Sequence, residues 1–349
     1  MFLGIEIGGT KLQLGVGDGR SGELRALERA DIDPQRGSAG ILEQIRQLGS
    51  DLVRTHGVTQ VGFGFGGPVD TREGRVIKSH QVPGWENFHL ASWCRESLGV
   101  PAILGNDCDV ATLAEAHFGA GQGRRSVLFM TVGTGVGGGF VHDGQLLGSG
   151  RPAACEIGHL RPGLHAAESD QTVESLASGW GIASAAQARL TGEVTGGPNA
   201  WTGAARATDR MQLQQQLADA QQADAQSIED LLARCHQNLD QLTARVVAEA
   251  AEAGNAIARR VLSHACQVLG WAVAQAVTLL APEVVVVGGG VSLIGESLFF
   301  QPLRQEVARY VFPPLRDSFS IEPAALGESV VVHGAVWLAA HAVQRPQAS

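Results

Sequence analysis

Two α/β domains facing each other across a central cleft are the fold class this sequence predicts, and three observations predict it. An apolar strand, a Gly/Thr turn and a second strand open the chain, and the same arrangement returns after position 125. Val284–Val287 is apolar at every position, as in a sheet covered on both faces. At 349 residues the chain is also long enough for more than one core. The expected domains are 1–120 and 121–349, with the final helix, about 330–345, a candidate to pack back on the first.

Phe2 to Ile7 is short and apolar and is closed by Gly8 and Gly9, which predicts a first strand and a tight turn. Leu12, Leu14 and Val16 alternate with small or polar residues and give a second strand; Gly22 to Ala30 returns as a third. Ile41 to Thr55 has helical periodicity, followed by a strand at Val61 to Phe65. Leu90 to Leu98 predicts a helix, Ala102 to Leu104 a strand, and Val110 to Phe118 a helix for which Asp107 or Asp109 is available as N-cap. Gly119 to Arg125 breaks the pattern and reads as the crossing between domains.

The second half opens with a strand at Ser126 to Met130, a glycine turn at Thr131 to Gly139, and a hairpin at Asp143 and Gly144. From Thr191 to Ser227 the texture changes, and Gln and Ala dominate Met211 to Gln226. Both are good helix formers, so a solvated helix or helical lid is expected, or a tolerated surface insertion. Two long helices follow between Ile228 and Leu280, joined near Gly254. Val284 to Val287 is a strand ending in Gly288, Gly289 and Gly290, and Ser329 to Val343 a closing helix.

Composition narrows the function classes. The net charge is -9, which disfavours nonspecific attraction to nucleic acid or an anionic membrane. Lys11 and Lys78 are the only lysines, and no arginine cluster is interleaved with aromatics. No stretch approaches the ~20 apolar residues that span a bilayer. Five widely spaced cysteines without a CxxC pair point to free thiols, and Met1 leads straight into a strand without a leader. Cytoplasm is the expected compartment.

Several motifs carry chemistry. Gly8-Gly9-Thr10-Lys11, after Glu6 and Ile7, places backbone N–H groups where they can converge on phosphate. Thr131, Gly133, Thr134, Gly135 and Gly137 belong to a denser glycine run in the equivalent place of the second half. Neither is a Walker A loop or a GxGxxG opening a helix. Gly288-Gly289-Gly290 fits the edge of an adenosine pocket, or simply a tight strand-to-helix turn. Asn106-Asp107 ends a strand; Asp107 can accept the proton of an attacking hydroxyl or can serve as a helix cap, and Asn106 offers a donor and an acceptor. Glu156, His159 and Glu174 can accept from sugar hydroxyls, bind metal, or be ordinary polar surface.

In combination, Gly8-Gly9-Thr10, Gly66-Gly67-Pro68-Val69-Asp70, Asn106-Asp107, Thr131 to Gly139, Glu156-Ile157-Gly158-His159, Glu174 and Gly288-Gly289-Gly290 resemble the ROK family of bacterial sugar kinases and related repressors. The resemblance runs from about Leu3 to about Ala340. It implies two ribonuclease H-like domains of the actin/hexokinase-like ATPase kind. It implies Asp107 as catalytic base, Asn106, Glu156, His159 and Glu174 as sugar-binding residues, and Gly66 and Gly67 as a turn beside the sugar. Gly9, Thr10, Thr134 and Gly135 match phosphate-contacting turns. ATP and magnesium are the implied cofactors, and a homodimer the expected assembly.

Two departures from the family pattern stand out. Glu6 occupies the place of the usual Asp, where a water-mediated magnesium contact is implied; the extra methylene moves the carboxylate by about 1 Å, a misplacement that can cost ~100-fold. The cysteine-rich zinc loop of the family is replaced by His165 to Thr172, with His165, Ala167 and Thr172 at the expected cysteine positions. One His with weak oxygen donors does not retain zinc, so no structural zinc is expected.

The reading is an ATP-dependent, glucokinase-like sugar kinase, with glucose first, then N-acetylglucosamine, fructose, mannose and N-acetylmannosamine as acceptors. A non-catalytic sugar-binding protein is the alternative. A sugar-responsive repressor is disfavoured, because the first sheet strand begins at Phe2 and leaves no room for a preceding DNA-binding domain.

Overall fold

The computed structural model describes residues 1–79, 81–148, 154–163, 171–192 and 224–342. The first sheet has five strands, β1 (Phe2–Ile7), β2 (Lys11–Gly17), β3 (Leu24–Asp31), β4 (Gln60–Phe65) and β7 (Ala102–Asn106), in the order β3-β2-β1-β4-β7. β1, β2 and β3 form an antiparallel meander, while β4 and β7 run parallel to β1. A small hairpin, β5 (Val69–Asp70) with β6 (Arg75–Val76), stands beside it.

The second sheet repeats this plan. β8 (Ser126–Val132), β9 (Val136–His142), β10 (Gln145–Leu146), β11 (Val284–Gly288) and β12 (Ser320–Pro323) lie in the order β10-β9-β8-β11-β12. β8–β9–β10 is again an antiparallel meander, and β11 and β12 again run parallel to its first strand. Two sheets of identical order and direction are the paired ribonuclease H-like units that the sequence predicts.

Helices α1 (Gly37–His56) and α2 (Leu90–Leu98) cover one face of the first sheet. α1 ends on Gly57 in the left-handed conformation, φ 61°, where glycine carries no steric cost. The other face is covered by the C-terminal helix, α10 (Val330–Ala342), lying against β1 and β4 at backbone depth. A Cβ on Gly62 would come within 1.9 Å of the Ala335 carbonyl oxygen, so only glycine admits the helix there.

Between the sheets runs α3 (Asp107–Phe118), which joins β7 to the crossing at 119–125. It packs on α10, where a Cβ on Gly334 would meet the Val110 carbonyl oxygen at 1.9 Å. His117 of α3 stacks on Trp337 of α10 at 4.3 Å, and Trp337 on His341 at 4.1 Å. On its other flank α3 packs on β9, where Cβ atoms on Gly137 and Gly139 would meet Cys108 Sγ at 2.3 Å and Thr112 Oγ1 at 2.1 Å. The wholly buried Glu115 accepts N–H groups from Ala120, Ala325 and Leu326 at 2.9, 3.0 and 2.9 Å.

The rest of the second domain is helical. α4 (Val173–Ala177), α5 (Gly179–Thr191), α6 (224–234), α7 (Ala244–Glu252), α8 (Ala256–Leu280) and α9 (Gln301–Tyr310) pack on the second sheet's core. Three helices, not two, occupy the stretch from 224 to 280. A turn at 235–243 separates α6 from α7, where His236 and Gln237 take left-handed φ of 52° and 60°. The break at Gly254, φ 99°, is where the sequence puts it. Most of the Gln/Ala-rich segment lies outside the described residues. No helix among the described residues is long and apolar enough to cross a membrane. All five cysteines are free.

Two local readings are corrected. The cap of α3 is Asn106, whose Oδ1 accepts the N–H groups of Cys108 and Asp109 at 2.9 and 3.4 Å, so Asp107 is the first helical residue; only its Oδ1 touches the helix start, sharing the Cys108 N–H. The run Thr131 to Gly139 is mostly strand: Thr131 pairs with Gly137 and Val132 with Val136, leaving Gly133-Thr134-Gly135 as the turn. Gly137 and Gly139 serve the close packing of α3 on β9.

Candidate active site

The register of the first sheet builds the site. Ile7 pairs with Phe65, and Phe65 with Asn106, so three parallel strands end side by side. Their loops, Gly8 to Thr10, Gly66-Gly67 and Asn106-Asp107, therefore meet at the carboxyl edge of the sheet, where α/β folds bind ligands. Gly66 donates its N–H to the Ile7 carbonyl at 3.0 Å. A Cβ on Gly66 would stand 3.4 Å from Asp107 Oδ2 and 3.8 Å from the Gly8 Cα.

Asn106 fixes this junction from both ends of its amide. Nδ2 donates to the Gly67 carbonyl at 3.2 Å while Oδ1 caps α3. Asp107 Oδ1 accepts the Cys108 N–H at 2.9 Å, so the carboxylate is oriented while Oδ2 stays beside Gly66. Burial pushes Asp107 up to about 6, against the opposing pull of its hydrogen bond from Cys108. A carboxyl group so placed is ionised near neutrality yet close enough to titration to take up a proton.

Other acids share the field. Burial raises Glu6 to about 7; the Gln13 hydrogen bond and Lys11 oppose the rise, and Asp107 and Glu328 add to it. Asp109, two residues further along α3, is raised to about 7 by burial and then by the charges of Glu156 and Asp107. The hard carboxylate oxygens of Glu6 fit magnesium, which takes one or two carboxylates with water and substrate phosphate. Among the described residues no group of three or more His, Cys, Asp or Glu side chains is placed to hold a metal ion.

The second sheet offers a matching edge. Thr131 pairs with Gly288, which brings the Gly133–Gly135 turn next to Gly289 and Gly290. Gly289 takes φ 89°, a Cβ there would lie 2.4 Å from the Val132 carbonyl oxygen, and Val291 donates to that same oxygen at 2.9 Å. The turn is further held by Gly179, which donates from the start of α5 to the Gly133 carbonyl at 2.7 Å.

Glu174 occupies an unexpected position. Its Oε2 accepts the Val136 N–H at 2.9 Å and would be 2.4 Å from a Cβ on Gly135, so this carboxylate anchors the glycine turn. Glu156 and His159 stand exposed on a 3-10 turn, Ile157–His159, that is pressed against β9: a Cβ on Gly158 would meet the Val136 carbonyl oxygen at 2.0 Å. Lys11 pairs with Glu328 at 3.3 Å. Of the replaced loop, His165 and Ala167 lie outside the described residues, and Thr172 caps α4 through Ser175. A hollow of about 400 Å³ between α9 and β12 contains none of these residues.

Sequence reasoning missed two polar residues beside the site. Gln81 lies over Gly9, its Oε1 occupying the space where a Cβ would be. Gln13 is wholly buried in β2 and bonded to Glu6. The signal for Gln13 was a large amide between Leu12 and Leu14 in a strand covered on both faces, where an unpaired polar group is costly.

Comparison with known proteins covers nearly the whole chain. Residues 2–342 match the ROK family. A glucokinase of Halalkalibacterium halodurans is 29% identical over 97% of this chain and 94% of its own. The crystal structure of a ROK family glucokinase from Streptomyces griseus in complex with glucose and AMPPNP is 26% identical, covers 97% of this chain and 98% of its own, and superposes with a TM-score of 0.75. A ROK hexokinase from Thermus thermophilus is 26% identical over 98% and 99%, with a TM-score of 0.73.

Proposed function

This chain belongs to the ROK family, and we propose that it is an ATP-dependent hexose kinase that converts glucose to glucose 6-phosphate with Asp107 as general base. The observation that carries the reading is the meeting of Asp107 with two glycine turns at the ends of three paired strands, in a fold shared with a glucokinase that holds glucose and an ATP analogue.

The sugar hydroxyl oxygen attacks the γ-phosphorus, the bond from that phosphorus to the β-phosphate bridging oxygen breaks, and the hydroxyl proton passes to Asp107. Phosphoryl transfer asks mainly for positioning and charge stabilisation. Asn106, Gly66, Gly67, Glu156, His159 and Glu174 hold the sugar. Gly8, Gly9, Thr10, Lys11, Thr131, Gly133, Thr134 and Gly135, with Gly288, Gly289 and Gly290, form the nucleotide side, and backbone N–H groups of the turns are the phosphate donors. Glu6 would hold magnesium through water, and the ion when bound would neutralise phosphate charge.

The units proposed are residues 1–120 and 121–349, working in the cytoplasm as a homodimer without nucleic acid or membrane partners. Large apolar side chains left in solvent, Leu279 at 83% and Phe312 at 53% exposure, support self-association. An ATP-coupled assay over glucose, N-acetylglucosamine, fructose, mannose and N-acetylmannosamine tests the function. Glucose should give the highest kcat/KM; another preferred sugar would move the substrate, and turnover of none would leave a sugar-binding protein.

A further inference from the structure

We infer that Gln13 is a positioning residue that fixes the Glu6 carboxylate at the nucleotide side of the site, correcting for the length of the glutamate. The inference rests on the kinase reading of the cleft.

Glu6 and Gln13 are direct partners in the β1–β2 register, and Gln13 and Arg29 are partners in the β2–β3 register. Side chains at paired positions point to one face, so the three form a row across three strands. Gln13 Nε2 donates to Glu6 Oε2 at 2.7 Å and to the Glu328 carbonyl at 2.8 Å. Its Oε1 accepts from Arg29 Nε at 2.9 Å.

This pattern determines the amide orientation. The Glu328 carbonyl only accepts and Arg29 only donates, so the nitrogen must face the carbonyl, with Glu6 on the same side, and the oxygen must face Arg29. Both amide hydrogens and one acceptor site are thereby used, and Gln13 has 0% exposure. A side chain fixed at three points in the interior has one position, and it passes that fixity to Glu6.

The consequence concerns Glu6. A glutamate has one more rotatable bond than an aspartate, and a loose carboxylate at a strand end would sample positions about 1 Å or more apart, enough to matter in a positioned reaction. The bond from Gln13 removes that freedom. It also ties Glu6 to Glu328, in the segment that returns the chain from the second sheet to α10, a tie doubled by the ion pair of Glu328 with Lys11.

Gln13→Leu keeps the volume and removes the donor; Gln13→Asn keeps the amide but falls one methylene short, and serves if the first variant folds poorly. Calorimetry would measure ATP binding with and without magnesium chloride, glucose binding, and melting temperature. Partners behind a metal ligand typically change metal affinity ~10- to 100-fold. Gln13→Leu should therefore reduce magnesium's enhancement of ATP binding by roughly tenfold or more, with glucose affinity held. In a Glu6→Asp background the shorter carboxylate is out of Gln13's reach, and the same change should cost little, a non-additivity that marks direct coupling. Equal effects in both backgrounds, or a uniform loss of glucose and ATP binding with a lowered melting temperature, would overturn the inference. The wild-type hexose assay is independent: its failure would remove the kinase reading, while the calorimetric cycle would still report on Gln13.

Discussion

Glu115 and Ala325, 210 positions apart in sequence, are joined by a hydrogen bond of 3.0 Å from the Ala325 N–H to the buried carboxylate. Because Glu115 also accepts from Ala120 and Leu326, one side chain fastens both strands of chain that pass between the sheets. Glu115→Ala would leave these donors unpaired, at about 1–3 kcal/mol each where water cannot reach them. Urea unfolding should show a loss of at least about 3 kcal/mol; an unchanged midpoint would show that water replaces the carboxylate without cost.

Asp107 must be ionised to take a proton, and burial puts it at about 6. Turnover should therefore climb as pH rises through about 6 and then level. Asp107→Asn should lower kcat by roughly 10²–10⁴ with sugar affinity within a few-fold. Near-wild-type kcat in the variant would remove Asp107 from the base role.

Asp109 holds its proton more tightly in the folded protein, at about 7 against an ordinary 3.8. The stabilisation from a carboxyl raised on folding is complete below the unfolded value and disappears as pH rises through the folded one. Between pH 4 and pH 8 the ligand-free protein should lose stability from this source. Asp109→Asn should remove that slope and gain on the wild type as pH increases. Parallel melting curves across the range would refute it.

The bond between Glu174 and Val136 alters where a lesion should register. Had Glu174 touched the sugar alone, Glu174→Gln would spare ATP. Since the carboxylate anchors the glycine turn, the variant should raise KM for ATP as well as for glucose, each by roughly tenfold, the worth of one charged hydrogen bond. An effect confined to glucose would separate the anchor from function.

Metal analysis of protein purified without added zinc should find well under one zinc per chain. Stoichiometric, chelator-resistant zinc would mean that His159 and His165 find ligands from elsewhere.

How much of this was legible in the sequence depends on the range of the signal. β1 and α2 begin and end where apolar pattern and flanking glycines put them. Asn106-Asp107 was visible as a polar pair at a strand end. The glycine run was read as one long turn because Gly137, Gly138 and Gly139 have no side chains to display strand alternation. β12 escaped notice because four residues including Glu322 and Pro323 carry no apolar pattern. Gln13 could not be assigned a partner, since Glu6 and Arg29 become its neighbours only through strand register.

The backbone-depth seat of α3 on α10 and β9 has a mechanical meaning. Where an added methyl would already collide with the Val110 carbonyl, with Cys108 Sγ or with Thr112 Oγ1, the helix has no gap in which to roll or slide against its neighbours. Asp107 stands on the first turn of that helix, so its carboxyl rests on a wedged footing rather than on a loop.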